Sequence, residues 1–150
     1  MALRHILTDD DPVLHKQCRM VEKFDERLAQ LLDDMAETMH DAEGVGLAAP
    51  QVGILRQVAV VDVGEGVIEL VNPQIIETSG KQEGSEGCLS YPNQFGIVCR
   101  PMYVKVKAYD RHGKPFFVEG RELLARAFCH EIDHLHGVVF LDLVSRMIEG

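Results

Sequence analysis

The sequence has no run of about 18 consecutive apolar residues, the length that a membrane-spanning helix requires. Its first residues, Met1-Ala2-Leu3-Arg4-His5, lead into no apolar stretch of the kind that a signal peptide contains. The sequence also lacks internal repeats, linkers and low-complexity segments, and its 46% hydrophobic and 26% charged residues are ordinary for a globular protein. We therefore expect residues 1–150 to form a single cytoplasmic domain with no membrane partner.

Positive charge is scarce. The sequence contains 15 Lys and Arg against 24 Asp and Glu, which gives a formal net charge of −9. A surface that binds nucleic acid or an anionic membrane needs a basic patch. The composition therefore argues against a general nucleic-acid-binding surface, although it leaves a local basic patch open.

Cysteine is scarce as well, and the four cysteines include no C-x-x-C pair. In a reducing compartment we expect Cys18, Cys88, Cys99 and Cys129 to be free thiols. Each is then either a small buried side chain or a metal ligand.

Two segments have the periodicity of amphipathic helices. In residues 25–42, apolar side chains recur at helical spacing after Asp25, which is a suitable N-cap, and acidic residues occupy the opposite face. The second segment, residues 121–136, is followed by Gly137, a residue that favours helix termination.

The remaining chain predicts antiparallel strands. Residues 57–63 and 67–71 are β-branched runs that flank a glycine-rich turn, and Asn72-Pro73 is expected to end the second. Strands are also predicted for residues 97–100, 102–109 and 116–119. The pattern predicts two helices and several antiparallel strands.

Residues 130–134, His-Glu-Ile-Asp-His, form an H-E-x-x-H motif near the end of the second helix. Side chains four positions apart lie on one helix face with Cβ atoms about 5–6 Å apart, so His130 and His134 can bind the same metal ion. Glu131 lies about 100° around the helix from His130, where its carboxylate can act as a base beside the ion. The same helix face continues backward through Leu123, Arg126 and Ala127, an apolar patch with one arginine. The motif also occurs by chance on solvated helices, so a metal site requires a third ligand.

The third ligand is expected upstream, because both downstream alternatives fail. Extension to H-x-x-G-x-x-H would require a histidine at Phe140, and Glu149 lies where fraying is expected. The other histidines lie on termini, helix ends or turns, and Cys129 should point away from His130. Cys88, in a glycine-flanked segment, is the best candidate by elimination, although a lone cysteine commonly packs as a buried thiol. A Cys-His-His site with an open fourth position is an accepted catalytic arrangement.

Three blocks, in this order, resemble the peptide deformylase family. They are Gly44-Val45-Gly46-Leu47-Ala48-Ala49-Pro50-Gln51, Glu86-Gly87-Cys88-Leu89-Ser90 and His130-Glu131-Ile132-Asp133-His134-Leu135. The resemblance implies an α+β fold in which antiparallel strands pack around a central C-terminal helix carrying H-E-x-x-H, with one further long N-terminal helix. It implies that the enzyme removes the N-formyl group from the formylmethionine of new polypeptides and releases formate.

The resemblance also implies roles for individual residues. Cys88, His130 and His134 would be the metal ligands, with Glu131 as general acid and base. Gln51 and the backbone N–H of Leu89 would stabilise the oxyanion. The peptide backbone would pair with Gly46 and Gly87, and the methionine side chain would pack over Val45, Leu123 and Ala127.

The expected metal cofactor and partners are inferred from ligand chemistry and from the same resemblance. Ligand softness at a Cys-His-His site suits zinc, cobalt, nickel or ferrous iron. The resemblance favours Fe²⁺ as the native ion, whereas Zn²⁺ would occupy purified protein by availability. Expected partners are N-formylmethionyl nascent peptides, with a transient ribosome contact.

The sequence departs from the family pattern at three places, and these departures limit which family properties can be assigned to this chain. Cys129 stands where members often have Gln, which alters packing or oxidation sensitivity but not ligation. Phe95 stands where many members have Arg, so a charged contact to the distal peptide does not carry over. The sequence also stops soon after Asp142, so ribosome docking through a C-terminal helix does not carry over either.

Three alternatives remain. A general metallopeptidase would use the same helix but lacks its downstream ligand. A structural metal domain would need a fourth protein ligand, for which Glu131 is the available group. An inactive homologue disagrees with the complete set of catalytic residue types.

Overall fold

The structure, a computed structural model, describes residues 2–148. Glu149, the rejected ligand candidate, lies outside the described residues. The two α-helices are α1 (Glu26–Asp41) and α2 (Leu123–Leu135). The strands are β1 (Gly46–Ala48), β2 (Val58–Val61), β3 (Ile68–Ser79), β4 (Gln82–Cys88), β5 (Tyr91–Arg100), β6 (Tyr103–Tyr109), β7 (Pro115–Arg121) and β8 (Arg146–Ile148). Short 3-10 helices cover Pro12–His15, Ala49–Val52 and Phe140–Asp142.

The strands form two antiparallel sheets, which confirms the predicted α+β class. The larger sheet has the order β1-β2-β3-β6-β7, and the smaller has the order β4-β5-β8. β1 and β4 are each an edge strand of their sheet. No helix within residues 2–148 is long and apolar enough to span a bilayer.

The helix α1 forms as its periodicity predicts. The Asp25 carboxylate accepts a hydrogen bond from the Leu28 backbone N–H at 3.1 Å, which satisfies one of the free donors of the first turn. One face of the helix is fully buried, including Leu32, Met35 and Met39. This face fixes α1 against the larger sheet.

The larger sheet lies between the two helices. On β2, Val58 and Val60 pack in the cluster that contains the apolar face of α1, whereas Ala59 and Val61 pack in the cluster around α2. This alternation follows from the two-residue period of a strand. It leaves α2 buried along most of its length, in agreement with the predicted central helix.

β3 extends further than the sequence indicated. Asn72-Pro73 was expected to end the strand, but β3 continues to Ser79 through a register shift between Val71 and Gln74. Asn72 has a positive φ of 49° at this irregularity. Its side chain accepts a hydrogen bond from the Val21 N–H at 2.7 Å and donates one to the Val21 carbonyl at 3.0 Å. A strand bulge therefore replaces the predicted end, and it anchors the N-terminal segment.

Candidate metal centre

The structure brings the three candidate ligands together. His130 and His134 lie one turn apart on α2, with ring centroids 5.0 Å apart, and Cys88 is the last residue of β4. The donor atoms of all three lie within 4.8 Å of one another. Cys88 Sγ is 3.3 Å from His134 Nε2.

This donor set fits a divalent transition-metal ion. Ligands at 2.0–2.3 Å from a tetrahedral ion lie about 3.3–3.7 Å from one another, close to the observed sulfur–nitrogen separation. One thiolate and two imidazoles suit zinc, cobalt, nickel or ferrous iron better than calcium or magnesium. Both histidines are buried, so water does not compete freely for their ring nitrogens.

A buried carboxylate holds the His130 ring. The Glu86 oxygen Oε2 is 2.6 Å from His130 Nδ1, which leaves Nε2 of this ring free to face the other ligands. A carboxylate on the far nitrogen of a metal-binding imidazole fixes the ring and makes it a better ligand.

Two arginines neutralise Glu86 inside the protein. Arg100 donates to both Glu86 oxygens, at 3.1 and 2.6 Å, and Arg126 donates to Oε1 at 2.8 Å. Arg100 also bonds Asp133 at 2.6 Å. Burial alone would raise the pKa of Glu86, but the hydrogen bonds from His130 and Arg100 outweigh it and hold that pKa well below the usual range. Glu86 is therefore ionised beside the candidate ligand.

Glu131 is buried next to the cluster. The residue is 3% exposed, and within residues 2–148 its Oε1 atom has no hydrogen-bond partner. Burial raises the pKa of the Glu131 carboxyl to about 7, against the opposing effect of His130. A carboxyl group with a pKa near neutrality can both accept and return a proton at pH 7.

The Gln51 side chain is oriented by its own loop. Its Oε1 accepts a hydrogen bond from the Ala48 N–H at 3.0 Å, so the amide Nε2 points the other way. Nε2 lies 3.1 Å from Ser90 Oγ and 3.5 Å from Cys88 Sγ. The amide is thus fixed as a donor beside the three ligands.

A cavity of about 270 Å³ opens at the cluster. All of the substrate-binding residues predicted from the sequence line it, namely Val45, Gly46, Gly87, Leu123 and Ala127, and the predicted oxyanion donor Leu89 lines it too. Leu89 lies in the two-residue turn between β4 and β5. Val45 and Leu123 are 41% and 51% exposed, so the cavity has an apolar, open mouth. Phe95, at the position that departs from the family pattern, also lines it.

Sequence reasoning missed the network behind His130. Glu86 and Asp133 lay inside the recognised blocks, but their partner Arg100 belongs to β5 and is distant along the chain. Three of the five histidines rejected as ligands have side-chain partners elsewhere. His15 contacts Asp10, His40 contacts Asp62, and His136 contacts Gln17.

Comparison with known proteins identifies close relatives of this chain. The sequence model of the family described as polypeptide deformylase matches residues 3–149. A peptide deformylase of Alkaliphilus metalliredigens is 62% identical over 146 residues, covering 97% of this chain and 99% of that protein. One from Caldicellulosiruptor bescii is 57% identical, covering 99% and 89%. The crystal structure of a peptide deformylase from Thermotoga maritima superposes with a TM-score of 0.93 at 42% identity, covering 95% and 98%.

Proposed function

The chain belongs to the peptide deformylase family, metal-dependent hydrolases that remove the N-formyl group from nascent polypeptides, and we propose that this reaction occurs at the cluster of Cys88, His130 and His134. The observation that carries the proposal is the position of Glu131, a buried carboxyl group beside three potential metal ligands. We further propose that residues 1–150 act as a single catalytic domain.

Cys88, His130 and His134 would hold the ion, with Glu86 orienting the His130 ring. A divalent ion held there would supply Lewis-acid chemistry, lowering the pKa of a water molecule and polarising the formyl carbonyl. Catalytic sites with three protein ligands keep one coordination position for the reacting groups, and a site formed by Cys88, His130 and His134 would do the same.

Glu131 carries the proton through the reaction. Its carboxylate takes a proton from the attacking water and later delivers it to the departing amine of the methionine residue. The raised pKa of this group, about 7, suits both transfers at neutral pH.

Gln51 and the Leu89 backbone N–H would stabilise the developing oxyanion. The Gln51 amide is fixed as a donor by its bond to Ala48, so it needs no reorientation during the reaction. Loss of one such donor typically lowers the rate by about 10²–10³.

The substrate would bind as an added strand between the two sheets. β1 and β4 are edge strands, and Gly46 and Gly87 on them line the same cavity. An extended peptide can pair its main chain with such edges. The methionine side chain would then pack over Val45, Leu123 and Ala127.

We propose Fe²⁺ as the native ion, with Zn²⁺, Ni²⁺ or Co²⁺ able to occupy purified protein. The Cys-His-His donor set is compatible with all four, and family resemblance favours iron. Metal analysis of protein purified without oxygen, followed by reconstitution of the apoprotein with each ion, tests this. Equal turnover with every ion and no iron on isolation would remove the proposal.

We place the enzyme in the cytoplasm, with a transient contact at the ribosome where formylated chains emerge. Co-sedimentation of the protein with purified ribosomes, with and without a nascent chain, tests the contact. Absence of the protein from both pellets would contradict it.

The decisive experiment measures formate release from formyl-methionyl-alanyl-serine. Protein purified without oxygen is compared with a Glu131→Ala variant loaded with the same metal. Turnover by the parent and its loss in the variant would support metal-assisted deformylation through Glu131. No turnover by the fully metallated parent would overturn the proposal, and cleavage of unformylated peptides would indicate a peptidase instead.

A further inference from the structure

A second cavity, of about 1090 Å³, lies on the face of the larger sheet that packs against α1. Val58 of β2 lines this cavity and belongs to the α1 side of the sheet, whereas α2 and its ligands pack on the other side. Within residues 2–148, no residue lines both this cavity and the one at the candidate metal centre. A molecule bound here would therefore leave the catalytic cavity open.

Cationic side chains are concentrated at this second cavity. Five of the 15 Lys and Arg residues line it, against two acidic residues, in a chain whose formal net charge is −9. We call the surface that they form the basic groove, and its cations are Arg4, Arg19, Lys23, Arg27 and Arg56. The composition of the chain left a local basic patch open, and the fold assembles one from residues that are distant in sequence.

Four of these five cations have no partner of opposite charge. Arg4 pairs with Asp34 at 2.9 Å, but the other four side chains are exposed and form no ion pair or hydrogen bond within residues 2–148. Arg19 and Arg56 are also neighbours across an isolated parallel bridge, in which the Arg19 carbonyl accepts a hydrogen bond from the Gln57 N–H at 2.8 Å. Like charges at paired backbone positions repel each other, so an anion bound by both arginines would relieve this repulsion.

The basic groove has an apolar floor. The floor consists of buried aliphatic side chains, namely Val21, Leu28, Leu31 and Val58. Four of the five cations are arginines, whose planar guanidinium groups bind phosphate through two parallel hydrogen bonds and also stack on nucleobases. Phosphate contacts combined with flat, apolar packing surfaces are the features by which proteins bind single-stranded nucleic acid.

We propose that the basic groove binds a single-stranded segment of RNA, and that the enzyme contacts ribosomal RNA through it. This inference rests on the ribosome contact proposed above, but not on the chemistry at the candidate metal centre. Phosphates would bind Arg19, Arg27 and Arg56, while riboses and bases pack on the apolar floor. A concave groove accommodates a flexible strand, whereas the headgroup surface of a bilayer is flat.

The test measures binding of a fluorescently labelled oligouridylate of about 12 nucleotides by anisotropy. The titration is repeated at several salt concentrations between about 0.05 and 0.2 M, because phosphate contacts make affinity depend on salt. Four unpaired cations at about 0.7 each predict that log K falls with log salt concentration with a slope of about −3. Polyglutamate is titrated as a competitor, since an acidic protein partner would share the charge of RNA but not its bases.

Two double variants separate the basic groove from the total charge of the protein. Arg19→Gln combined with Arg56→Gln should weaken binding by at least about tenfold at 0.1 M salt and reduce the magnitude of the slope by about 1.4. Lys81→Gln combined with Lys114→Gln removes the same charge at exposed positions outside the groove, and should leave affinity nearly unchanged. Both double variants should release formate at the parent rate, which shows that the fold and the catalytic cavity are intact. The Arg19 and Arg56 double variant should also be lost from the pellet when it is sedimented with ribosomes.

Absence of oligouridylate binding by the parent would overturn the inference, and so would equal weakening in the two double variants. Competition by polyglutamate as strong as that by unlabelled oligouridylate would replace RNA with an acidic protein as the partner. Unchanged sedimentation of the Arg19 and Arg56 double variant with ribosomes would overturn the assignment to ribosomal RNA. Failure of the proposed deformylase reaction is distinguishable, because it would appear as no formate release by a protein that still binds oligouridylate.

Discussion

Gly46 lies against Glu131 so closely that a Cβ on the glycine would overlap the carboxylate oxygen Oε2. The edge strand β1 thus covers the buried carboxyl group directly, and only a residue without a side chain permits this approach. Contact with the proposed general base Glu131 therefore explains why position 46, in the block before Gln51, requires a glycine.

A Gly46→Ala substitution should displace the Glu131 carboxylate and lower kcat by at least about 10², the lower range for a general base. Formate release measures this effect, and circular dichroism checks the fold. Gly44→Ala is a matched control from the same segment, because its Cβ would meet the flexible end of the Leu89 side chain, which can move. Equal losses in the two variants would contradict the specific role of Gly46.

Glu86→Gln should weaken both metal binding and stability. Without the carboxylate, His130 loses the partner that orients it, and we expect metal affinity to fall by about 10–100-fold. Arg100 and Arg126 lose a buried counter-charge, which should lower the free energy of unfolding by about 3–5 kcal/mol.

Competition with a chelator measures the affinity change, and denaturant unfolding measures the stability change. Glu83→Gln, on the same strand but exposed, is the control and should alter neither quantity. Unchanged metal affinity in Glu86→Gln would show that the carboxylate does not support the ligand.

Thiol labelling at pH 8 should distinguish the four cysteines. Cys99 is exposed and should react at once. Burial raises the pKa of Cys18 and of Cys129 to about 11, so few of these thiols are ionised and both should react slowly. Cys88 should be protected while an ion is bound and become the second fast thiol after chelation. Rapid labelling of Cys88 in the metallated protein would exclude it as a ligand. A Cys99→Ser variant serves as the control, because it removes the labelling signal of the exposed cysteine.

Leu123→Trp should narrow the mouth of the cavity. We expect kcat/KM for formyl-methionyl peptides to fall by about tenfold or more, because the methionine side chain would lose its packing site. Stability should change little, since Leu123 is 51% exposed. Ile76→Trp, at an exposed position of β3 that does not line the cavity, is the control. Full activity in Leu123→Trp would remove this residue from the substrate site.

The helices and the nearest strand pair were predictable because their signals are local. The capping residue Asp25 and the apolar period of α1 lie within a few residues of one another. The β2–β3 hairpin was likewise indicated by its glycine turn and is antiparallel, with Val61 opposite Ile68. In contrast, Asn72 indicated a strand end by composition but forms a bulge, because its side chain bonds to Val21, which is distant in sequence.

The candidate site was predictable in part for the same reason. His130, Glu131 and His134 share one helical turn, and Cys88 followed by elimination. The Glu86–Arg100 pair could not be derived, because it depends on the register of β4 against β5 and on the packing of α2 behind them. Such an ion pair between strands can be identified only once the register of the strands is known.

The three proposed ligands come from different parts of the fold. Cys88 ends a strand of the three-stranded sheet, while His130 and His134 lie on the helix that packs against the five-stranded sheet. An ion held by all three would take part in catalysis, and it would also cross-link the three-stranded sheet to the helix that packs against the five-stranded sheet. Catalytic competence and resistance to unfolding would then be gained together on metal loading and lost together on demetallation.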